Sequence, residues 1–216
     1  MLQYLVRHGE SVFNVEERVQ GQADVDLSSL GRRQAARVAA RSRELVASVS
    51  GPEPTWEIWS SPLRRARHTA ETIAAAVGLP LRIEERLCEL HAGIFQGHLW
   101  ADLETHFPEA VMRWRSGEVD YQIPGGESRA QLAARGHEAL QTLADRNVTG
   151  MIVVAHGGVL TAALGSLLGP AHPLLASAAQ RPFTKLPALA NASLTLLEWP
   201  GPRLVSFNET AHLAGK

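Results

Sequence analysis

The sequence predicts an α/β protein, a three-layer sandwich in which a mostly parallel central sheet is flanked by helices. Three observations lead to this prediction. Short apolar runs of strand length alternate along the chain with segments of helical periodicity, which is typical of a parallel sheet covered on both faces. The composition, 45% hydrophobic and 20% charged, is ordinary for a globular protein. The length of 216 residues fits a single domain over residues 1–216.

The individual elements follow from periodicity and from turn chemistry. An apolar run over 3–7 predicts the first strand, and a stripe at helical spacing predicts a helix over 29–49 with Ser28 as its N-cap. Serine and proline at 60–62 predict a second helix start, and Gly78 its end. The other predicted elements are strands over Glu57–Ser60, Leu81–Ile83, Met151–Ala155, Ser193–Glu198 and Leu204–Phe207, and helices over Ser128–Arg146 and 159–168.

Two segments do not fit the alternating pattern. Residues 85–125 are irregular with short helical fragments, which predicts a small cap-like insertion over the sheet and its functional site. Residues 170–190 carry four prolines, which predicts a rigid loop that borders the site but has no assignable role.

Composition excludes several classes of protein. Twenty-one basic and 22 acidic residues give a net charge of −1, so we expect no nucleic-acid partner. No apolar run approaches the ~20 residues of a membrane span, and the N-terminus lacks a signal-peptide pattern, so we expect no membrane association and a cytoplasmic location. The single cysteine, Cys88, excludes an internal disulfide, and no metal-ligand spacing is visible among the nine histidines.

The same dipeptide follows two of the predicted strands. His8-Gly9 ends the first strand, and His156-Gly157 ends the strand over Met151–Ala155. Ligands of open α/β sheets bind at the carboxyl ends of strands, and glycine permits a sharp turn there. A satisfied histidine in a turn would explain either one alone, but the pair indicates a functional site.

A cluster of arginines gives a third signal. Arg64, Arg65 and Arg67 lie in the first turns of a predicted helix, where the helix dipole disfavours cations. A bound anion would compensate these charges, although a solvated surface explains Arg64 or Arg67 and only less well all three. With Arg7 and the two histidines, this set best fits a phosphate group. A neutral imidazole beside bound phosphate suggests covalent phosphoryl transfer, with arginines supplying the charge stabilisation.

Five sequence blocks in order resemble the histidine phosphatase (phosphoglycerate mutase-like) superfamily. Any one block is weak, but together they span residues 3 to 158. The blocks are Leu5-Val6-Arg7-His8-Gly9-Glu10-Ser11 with Asn14 and Gln20-Gly21, then Ser61-Pro62-Leu63-Arg64-Arg65-Ala66, Leu87-Cys88-Glu89-Leu90, Pro124-Gly125-Gly126-Glu127-Ser128, and Val154-Ala155-His156-Gly157-Gly158.

The resemblance implies a role for each matched position. His8 would be the nucleophile that becomes phosphorylated, and Glu89 would protonate the leaving oxygen and later activate water. Arg65 rather than Arg64 takes the pocket position, because it precedes the alanine of the motif. Arg7 and His156 would complete the group around the phosphoryl oxygens. The residues assigned to substrate and phosphate binding are Asn14, Gln20, Gly21 and Gly157.

Within this superfamily the sequence favours a phosphatase. Cofactor-dependent mutases carry Glu-Arg-His-Tyr-Gly in the third block, where this chain has Glu89-Leu90-His91-Ala92-Gly93. We expect a metal-independent, acid-type phosphatase that needs no cofactor and acts on a small phosphorylated metabolite. A phosphoglycerate mutase and a catalytically inactive phospholigand-binding module are the alternatives, and a homodimer is open.

Several nearby residues permit two interpretations at this stage. Glu127 and Ser128 could touch substrate, or they could form a turn and a helix cap. Asp24 and Asp26 are better explained by a turn than by catalysis. His91 is better explained by a position outside the pocket, and Cys88 by a small buried thiol.

Overall fold

A computed structural model describes residues 1–49, 55–170, 172–173 and 188–214. Its centre is a six-stranded sheet with the strand order β3-β2-β4-β1-β5-β6. The proline-rich segment 170–190, predicted to be a rigid loop, lies largely outside the described residues. The strands are β1 (Leu2–Arg7), β2 (Trp56–Ser60), β3 (Leu81–Ile83), β4 (Gly150–Ala155), β5 (Leu194–Glu198) and β6 (Arg203–Glu209).

The sheet is mostly parallel, as predicted, with an antiparallel edge. Strands β3, β2, β4 and β1 pair in parallel, whereas β5 runs antiparallel to both β1 and β6. The register of the central pair matters for function, because Arg7 lies opposite Ala155. The residues that follow these two positions, His8 and His156, therefore leave the sheet side by side.

Helices cover both faces of the sheet, which confirms the three-layer sandwich. Alternate residues of the central strands point to opposite faces, as the pleat requires. Val6, Ile152 and Val154 belong to one core, which they share with the helices over 29–48 and 64–77. Leu5 and Val153 belong to the other core, which they share with the helices over 129–144 and 157–168. The helices are α1 (Val12–Val15), α2 (Ser29–Ser48), α3 (Arg64–Val77), α4 (Leu103–His106), α5 (Pro108–Arg115), α6 (Arg129–Ala144) and α7 (Gly157–Leu168).

The segment 85–125 has a small apolar core of its own. It contains three short 3-10 helices besides α4 and α5, and Phe95 is buried within it. Val19, from the loop after α1, belongs to the same core. Further bonds tie this loop to the insertion, since Arg18 Nη1 donates to the Gly97 carbonyl and Gln22 Nε2 to the Glu89 carbonyl. The predicted insertion therefore packs beside the strand-end loop. The single-domain organisation stays a prediction.

Helix termini show where local sequence signals succeed and where they fail. Ser28 and Ser128 cap α2 and α6 through their hydroxyl groups, and Gly78 ends α3 in the left-handed conformation, as expected. The prediction that α3 begins near Pro62 with a serine cap was wrong. The helix begins at Arg64, and its N-cap, Leu63, offers no side-chain bond.

The cap of α3 comes instead from a residue far away in sequence. Asp24 Oδ1 accepts a hydrogen bond from the Arg64 N–H at 2.7 Å. A carboxylate at a helix N-terminus is favourable to the helix dipole. Asp24 therefore shapes the start of α3. The start of α7 was also placed too late: it begins at Gly157 rather than at residue 159, directly after His156.

Candidate active site

Two buried histidines form the centre of the site, because adjacent parallel strands end beside each other. His8 follows β1 and His156 follows β4, and their ring centroids are 5.1 Å apart at an interplanar angle of 60°. His8 is 2% exposed and His156 is fully buried. The strand-end rule used at the level of sequence is thereby confirmed for the placement of both residues.

Hydrogen bonds fix the orientation of the His8 ring. Nδ1 lies 2.6 Å from the Gly9 carbonyl, which can only accept, so Nδ1 carries the proton. Arg65 Nε lies 3.3 Å from His8 Nε2 and donates to it. Burial lowers the pKa of His8 well below its usual value, and the charges of Arg65 and Arg7 lower it further against a smaller opposing effect of the Gly9 bond. At neutral pH the ring is uncharged, with the lone pair on Nε2.

The guanidinium of Arg65 is buried completely in the pocket. Nη1 donates to the Ala23 carbonyl and Nη2 to the Gly21 carbonyl, each at 2.8 Å. Burial lowers the pKa of Arg65 to about 10, against the opposing charge of Glu89. It therefore remains a cation at neutral pH. Gly21 has a φ of +49°, and an added Cβ would lie 2.8 Å from the Ala92 Cβ, so only glycine fits this turn.

The two neighbouring arginines are different. Arg64 pairs with Asp24 and Asp26, and Arg67 pairs with Glu71; both are about half exposed. The solvated-surface interpretation, which the sequence allowed for Arg64 or Arg67, therefore holds for both of them. Only Arg65 faces the histidine site, in agreement with the motif position.

Arg7 supplies a second cation and an unoccupied donor. Its Nη1 donates to the Leu189 carbonyl. Its buried Nε has no hydrogen-bond partner within the described ranges, and it lies 3.4 Å from where a Cβ at Gly157 would be. Burial lowers the pKa of Arg7, partly offset by the charge of Glu89. A buried donor without a partner is costly, so this N–H is a ready site for an anionic oxygen.

His156 also has one ring nitrogen that is available for a further hydrogen bond. Its Nε2 is 2.8 Å from Ser61 Oγ, whereas Nδ1 has no hydrogen-bond partner in the part of the chain that is described. Burial lowers the pKa of His156 well below its usual value, and the charges of Arg65, His8 and Arg7 add to this effect. The ring is neutral and can form one further hydrogen bond in the pocket.

Glu89 is anchored at the N-terminus of α7. Its Oε1 accepts from the N–H groups of Leu90 at 2.8 Å and Val159 at 3.0 Å, and its Oε2 accepts from Gly158 at 2.8 Å. Since a carboxylate oxygen has two lone pairs, Oε2 is the oxygen with room for a proton. An added Cβ at Gly158 would lie 2.4 Å from Glu89 Oε1, so the carboxylate occupies the space that only glycine leaves.

The amide side chains predicted to bind phosphate are held by Ser11. Asn14 Oδ1 accepts from the Ser11 N–H at 3.0 Å, and Gln20 Oε1 accepts from Ser11 Oγ at 2.7 Å. With their oxygens occupied, both amides keep their N–H₂ groups for other partners. Asn191 Nδ2 lies 3.3 Å from Asn14 Oδ1 and also donates to the His8 carbonyl at 3.1 Å.

Comparison with known proteins decides the family. The histidine phosphatase superfamily (branch 1) matches residues 3–210. The chain belongs to this superfamily. A glucosyl-3-phosphoglycerate phosphatase of Mycobacterium tuberculosis is 38% identical over 173 residues, covering 76% of this chain and 74% of that protein. A metal-independent phosphoserine phosphatase of Arabidopsis thaliana is 40% identical over 161 residues, covering 73% of this chain and 65% of that protein.

Solved structures agree in fold. The mycobacterial glucosyl-3-phosphoglycerate phosphatase in complex with VO₃ superimposes with a TM-score of 0.77 at 31% identity, over 97% of this chain and 99% of that chain. Phosphoglycerate mutase-like proteins are also among the relatives. The phosphatase names support the phosphatase interpretation over the mutase alternative.

Residues predicted for this histidine phosphatase site converge, but several contacts were missed. Ser61 holds His156, and it follows β2 at the same sheet edge, so the strand-end rule could have found it. Asn191 had no signal, because it bonds a main-chain carbonyl from far along the chain. Cys88 lies beside Ser61, and burial raises the pKa of its thiol against the opposing Ser61 bond, which disfavours the thiolate.

Two further properties concern the described residues as a whole. Nowhere in 1–49, 55–170, 172–173 or 188–214 do three histidine, cysteine or carboxylate side chains gather as a metal site requires. Within the same ranges, every helix is too short or too polar to cross a lipid bilayer.

Proposed function

We propose that this chain is a phosphatase that hydrolyses a small phosphomonoester through a phosphohistidine on His8. The observation that carries the proposal is the state of His8 itself. Its ring is buried and neutral, Nδ1 is bound to the Gly9 carbonyl, and the Nε2 lone pair lies against the cationic Arg65. A nucleophile in this state is ready to attack a phosphorus atom that arginines hold in place.

In the first half-reaction, His8 Nε2 attacks phosphorus and the bond to the alcohol oxygen breaks. Arg65 Nε, which donates to Nε2 in the free protein, would turn to a phosphoryl oxygen. The unpartnered Arg7 Nε and His156 Nδ1 offer two further contacts to the phosphoryl oxygens. Glu89 transfers a proton from Oε2 to the departing oxygen, so the product leaves as a neutral alcohol.

In the second half-reaction, water attacks the phosphorus of the phosphohistidine. The Glu89 carboxylate accepts a proton from this water, the P–N bond breaks, and inorganic phosphate leaves. His8 returns to its neutral form, and the proton that Glu89 takes from this water replaces the one that it gave to the alcohol, so protons balance over the cycle. Two arginines that stay charged at neutral pH stabilise the transferring group in both steps.

Two finer features are part of the proposal. Metal independence is supported by the arginine pair, which supplies the positive charge that a metal ion supplies elsewhere, and by the name of the Arabidopsis relative. Activity in acid is supported by the lowered pKa of His8, because the nucleophile stays neutral when the pH falls below the usual histidine value. The substrate class is a small phosphorylated metabolite, as the names of the phosphatase relatives indicate.

The alternatives explain less of the site. An inactive phospholigand-binding module would need neither a neutral nucleophile nor an anchored carboxylate. A mutase would need to keep and return the phosphoryl group, and the third block lacks the arginine and tyrosine of that branch. The predicted cytoplasmic location and the possible homodimer stay predictions.

Rapid-quench kinetics test the proposal. The wild-type protein should release up to one equivalent of alcohol per chain in a burst that precedes inorganic phosphate, when dephosphorylation limits turnover. His8→Ala should lose the burst and fall below about 0.1% of wild-type turnover, since it removes the attacking atom. Activity should survive excess chelator. A His8→Ala protein that retains a few per cent of wild-type turnover would contradict the mechanism, and chelator-dependent loss would contradict metal independence.

A further inference from the structure

The segment that carries Glu89 has little regular structure to hold it. Residues 88–92 follow a single 3-10 turn and precede another, and none of them belongs to a strand or an α-helix. The carboxylate is nevertheless anchored by three N–H groups, which requires that the backbone beneath it keep one position. Besides Gln22, which donates to the Glu89 carbonyl, a side chain on the helix α6 holds this backbone.

Arg135 uses all five of its N–H donors on this segment and its neighbour. Nη1 donates to the carbonyls of Arg86 at 2.8 Å and Cys88 at 2.6 Å, and Nη2 donates to the carbonyl of Glu89 at 3.0 Å. The two remaining donors, on Nε and Nη2, bind the carboxylate of Glu127 at 2.8 Å each. Arg135 therefore joins three main-chain carbonyls, those of Arg86, Cys88 and Glu89, to α6.

Glu127 completes the arrangement from the other side. Its Oε2 also accepts from the His91 N–H at 2.8 Å, and its own N–H donates to the His91 carbonyl at 2.9 Å. Burial would raise the pKa of Glu127, but the bonds from Arg135 and His91 outweigh it and lower the pKa, so the carboxylate is ionised. The pair is largely shielded, with side chains 20% and 18% exposed.

The two chain segments also approach as closely as backbones can. An added Cβ at Gly126 would lie 2.2 Å from the His91 carbonyl oxygen, and one at Gly93 would lie 2.2 Å from the Pro124 carbonyl oxygen. The Gly-Gly-Glu turn thus fits against residues 91–93, and Glu127 is fixed where it meets both His91 and Arg135.

We propose that Arg135, held by Glu127, is a positioning residue for the proton transfer by Glu89. Its guanidinium fixes the main chain before and at Glu89, and Glu127 fixes it two residues after. This inference rests on the proposed function, since it assigns the geometry of the acid that the mechanism requires. It also gives Glu127 a structural role, since its carboxylate binds Arg135 and the His91 N–H.

The effect should be confined to steps that need the proton. Lysine in place of Arg135 keeps the charge but has three donors on one nitrogen, so it cannot bridge three carbonyls and a carboxylate. A carboxyl displaced by about 1 Å can lose on the order of 10²-fold in rate. An alkoxide leaving group needs the proton in the transition state, whereas p-nitrophenolate leaves as a stable anion.

The experiment measures the burst rate constant of the first alcohol in Arg135→Lys and Glu127→Gln. The substrates are an alkyl phosphate, such as phosphoserine, and p-nitrophenyl phosphate. We expect a loss of about 10- to 100-fold with the alkyl phosphate and less than about 3-fold with p-nitrophenyl phosphate, with KM little changed. The matched control is Arg113→Lys, because Arg113 also binds a glutamate, Glu118, through two bonds of 2.9 and 3.0 Å in the same part of the fold. That variant should change neither rate.

A double-mutant comparison separates positioning from a general structural role. In a Glu89→Gln background there is no proton to position, so adding Arg135→Lys should lower the alkyl phosphate rate by less than about 2-fold. Equal losses with both substrates, or additive losses in the double variant, would overturn the inference. If Arg135→Lys does not fold, Glu127→Gln decides by the same two criteria.

Failure of the inference can be told apart from failure of the proposed function. Should Glu89→Gln itself show no preference for the better leaving group, the assignment of Glu89 as the acid fails. Should Glu89→Gln show that preference while Arg135→Lys and Glu127→Gln do not, only the positioning role fails.

Discussion

The two halves of the site are built in different ways. The half that we propose binds the phosphoryl group lies at the ends of β1 and β4, and the register of these strands sets the distance between His8 and His156. The half that we propose supplies the acid is Glu89, on a segment without a strand or α-helix. Here the helix α7 fixes the carboxylate through N–H groups and Arg135 fixes the carbonyls.

The difference shows two ways in which a fold orients a reactive group. At the strand ends, pairing in the sheet fixes the main chain, and buried side chains need only one or two bonds to choose a tautomer. In the irregular segment, side chains and a helix terminus must supply the bonds that a sheet would provide. Substitutions in the first half should therefore affect all substrates, and those in the second should affect substrates according to their leaving group.

The largest effect is expected in the strand-end half, from Arg65. Arg65→Ala removes a buried cation beside His8 and should lower kcat/KM by about 10²–10³-fold with both alkyl and aryl phosphates. Arg64→Ala, the adjacent control, removes an exposed ion pair with Asp24 and Asp26 and should change kcat/KM by less than about 2-fold. Steady-state kinetics of the two variants check this, and similar losses would show that the pocket position was assigned to the wrong arginine.

A smaller and more selective effect is expected in the acid half, from Gly158. Gly158→Ala places a methyl group 2.4 Å from Glu89 Oε1, so the carboxylate must move. The burst rate constant should fall about 10-fold with an alkyl phosphate and clearly less with p-nitrophenyl phosphate. Gly165→Ala, also in α7, meets nothing within 4 Å and should leave both rates unchanged. Full alkyl phosphatase activity in Gly158→Ala would mean that Glu89 need not stay at the helix terminus.

The buried histidines should make stability depend on pH. The pKa of His8 is lowered in the folded protein, so the unfolded chain binds a proton more readily below about pH 6.5. The contribution of neutral His8 to the free energy of unfolding is therefore complete above about pH 6.5. It is lost as the pH falls toward the folded-state pKa, by up to about 1.4 kcal/mol per pH unit.

Urea unfolding between pH 5 and 7.5 measures this effect. The free energy of unfolding should fall less steeply with acid in His8→Asn than in the wild type, because one buried imidazole has been removed. Parallel pH dependences in the two proteins would contradict the assignment of His8 as a neutral, buried ring.

The smallest effect concerns Ser128, for which the sequence permits either a helix cap or a substrate contact. Its hydroxyl accepts from the Gln131 N–H at 3.1 Å and caps the helix that carries Arg135. Ser128→Ala should lower the free energy of unfolding by about 1 kcal/mol and leave KM unchanged. Thermal or urea unfolding together with steady-state kinetics decides it: a raised KM at unchanged stability would instead place Ser128 at the substrate.

Sequence reasoning succeeded where one local pattern determines one structural outcome. The apolar runs that end in His8 and His156 predicted two strand ends, and the motif order selected Arg65 over its neighbours. It failed at the start of α3, because the capping carboxylate, Asp24, lies 40 residues away from the N–H that it accepts. No sequence pattern marks a residue such as Arg135, whose partners are mainly main-chain carbonyls that every residue possesses.

The central claim is that His8 Nε2 carries the phosphoryl group during turnover. Quenching the wild-type protein in base during the burst, followed by peptide mass spectrometry and ³¹P NMR, tests this claim most directly. We predict an acid-labile, base-stable phosphate on the peptide that contains His8, attached at Nε2, because Nδ1 is bound to the Gly9 carbonyl. Phosphate on Nδ1, on His156 or on no residue at all during a demonstrated burst would contradict the account.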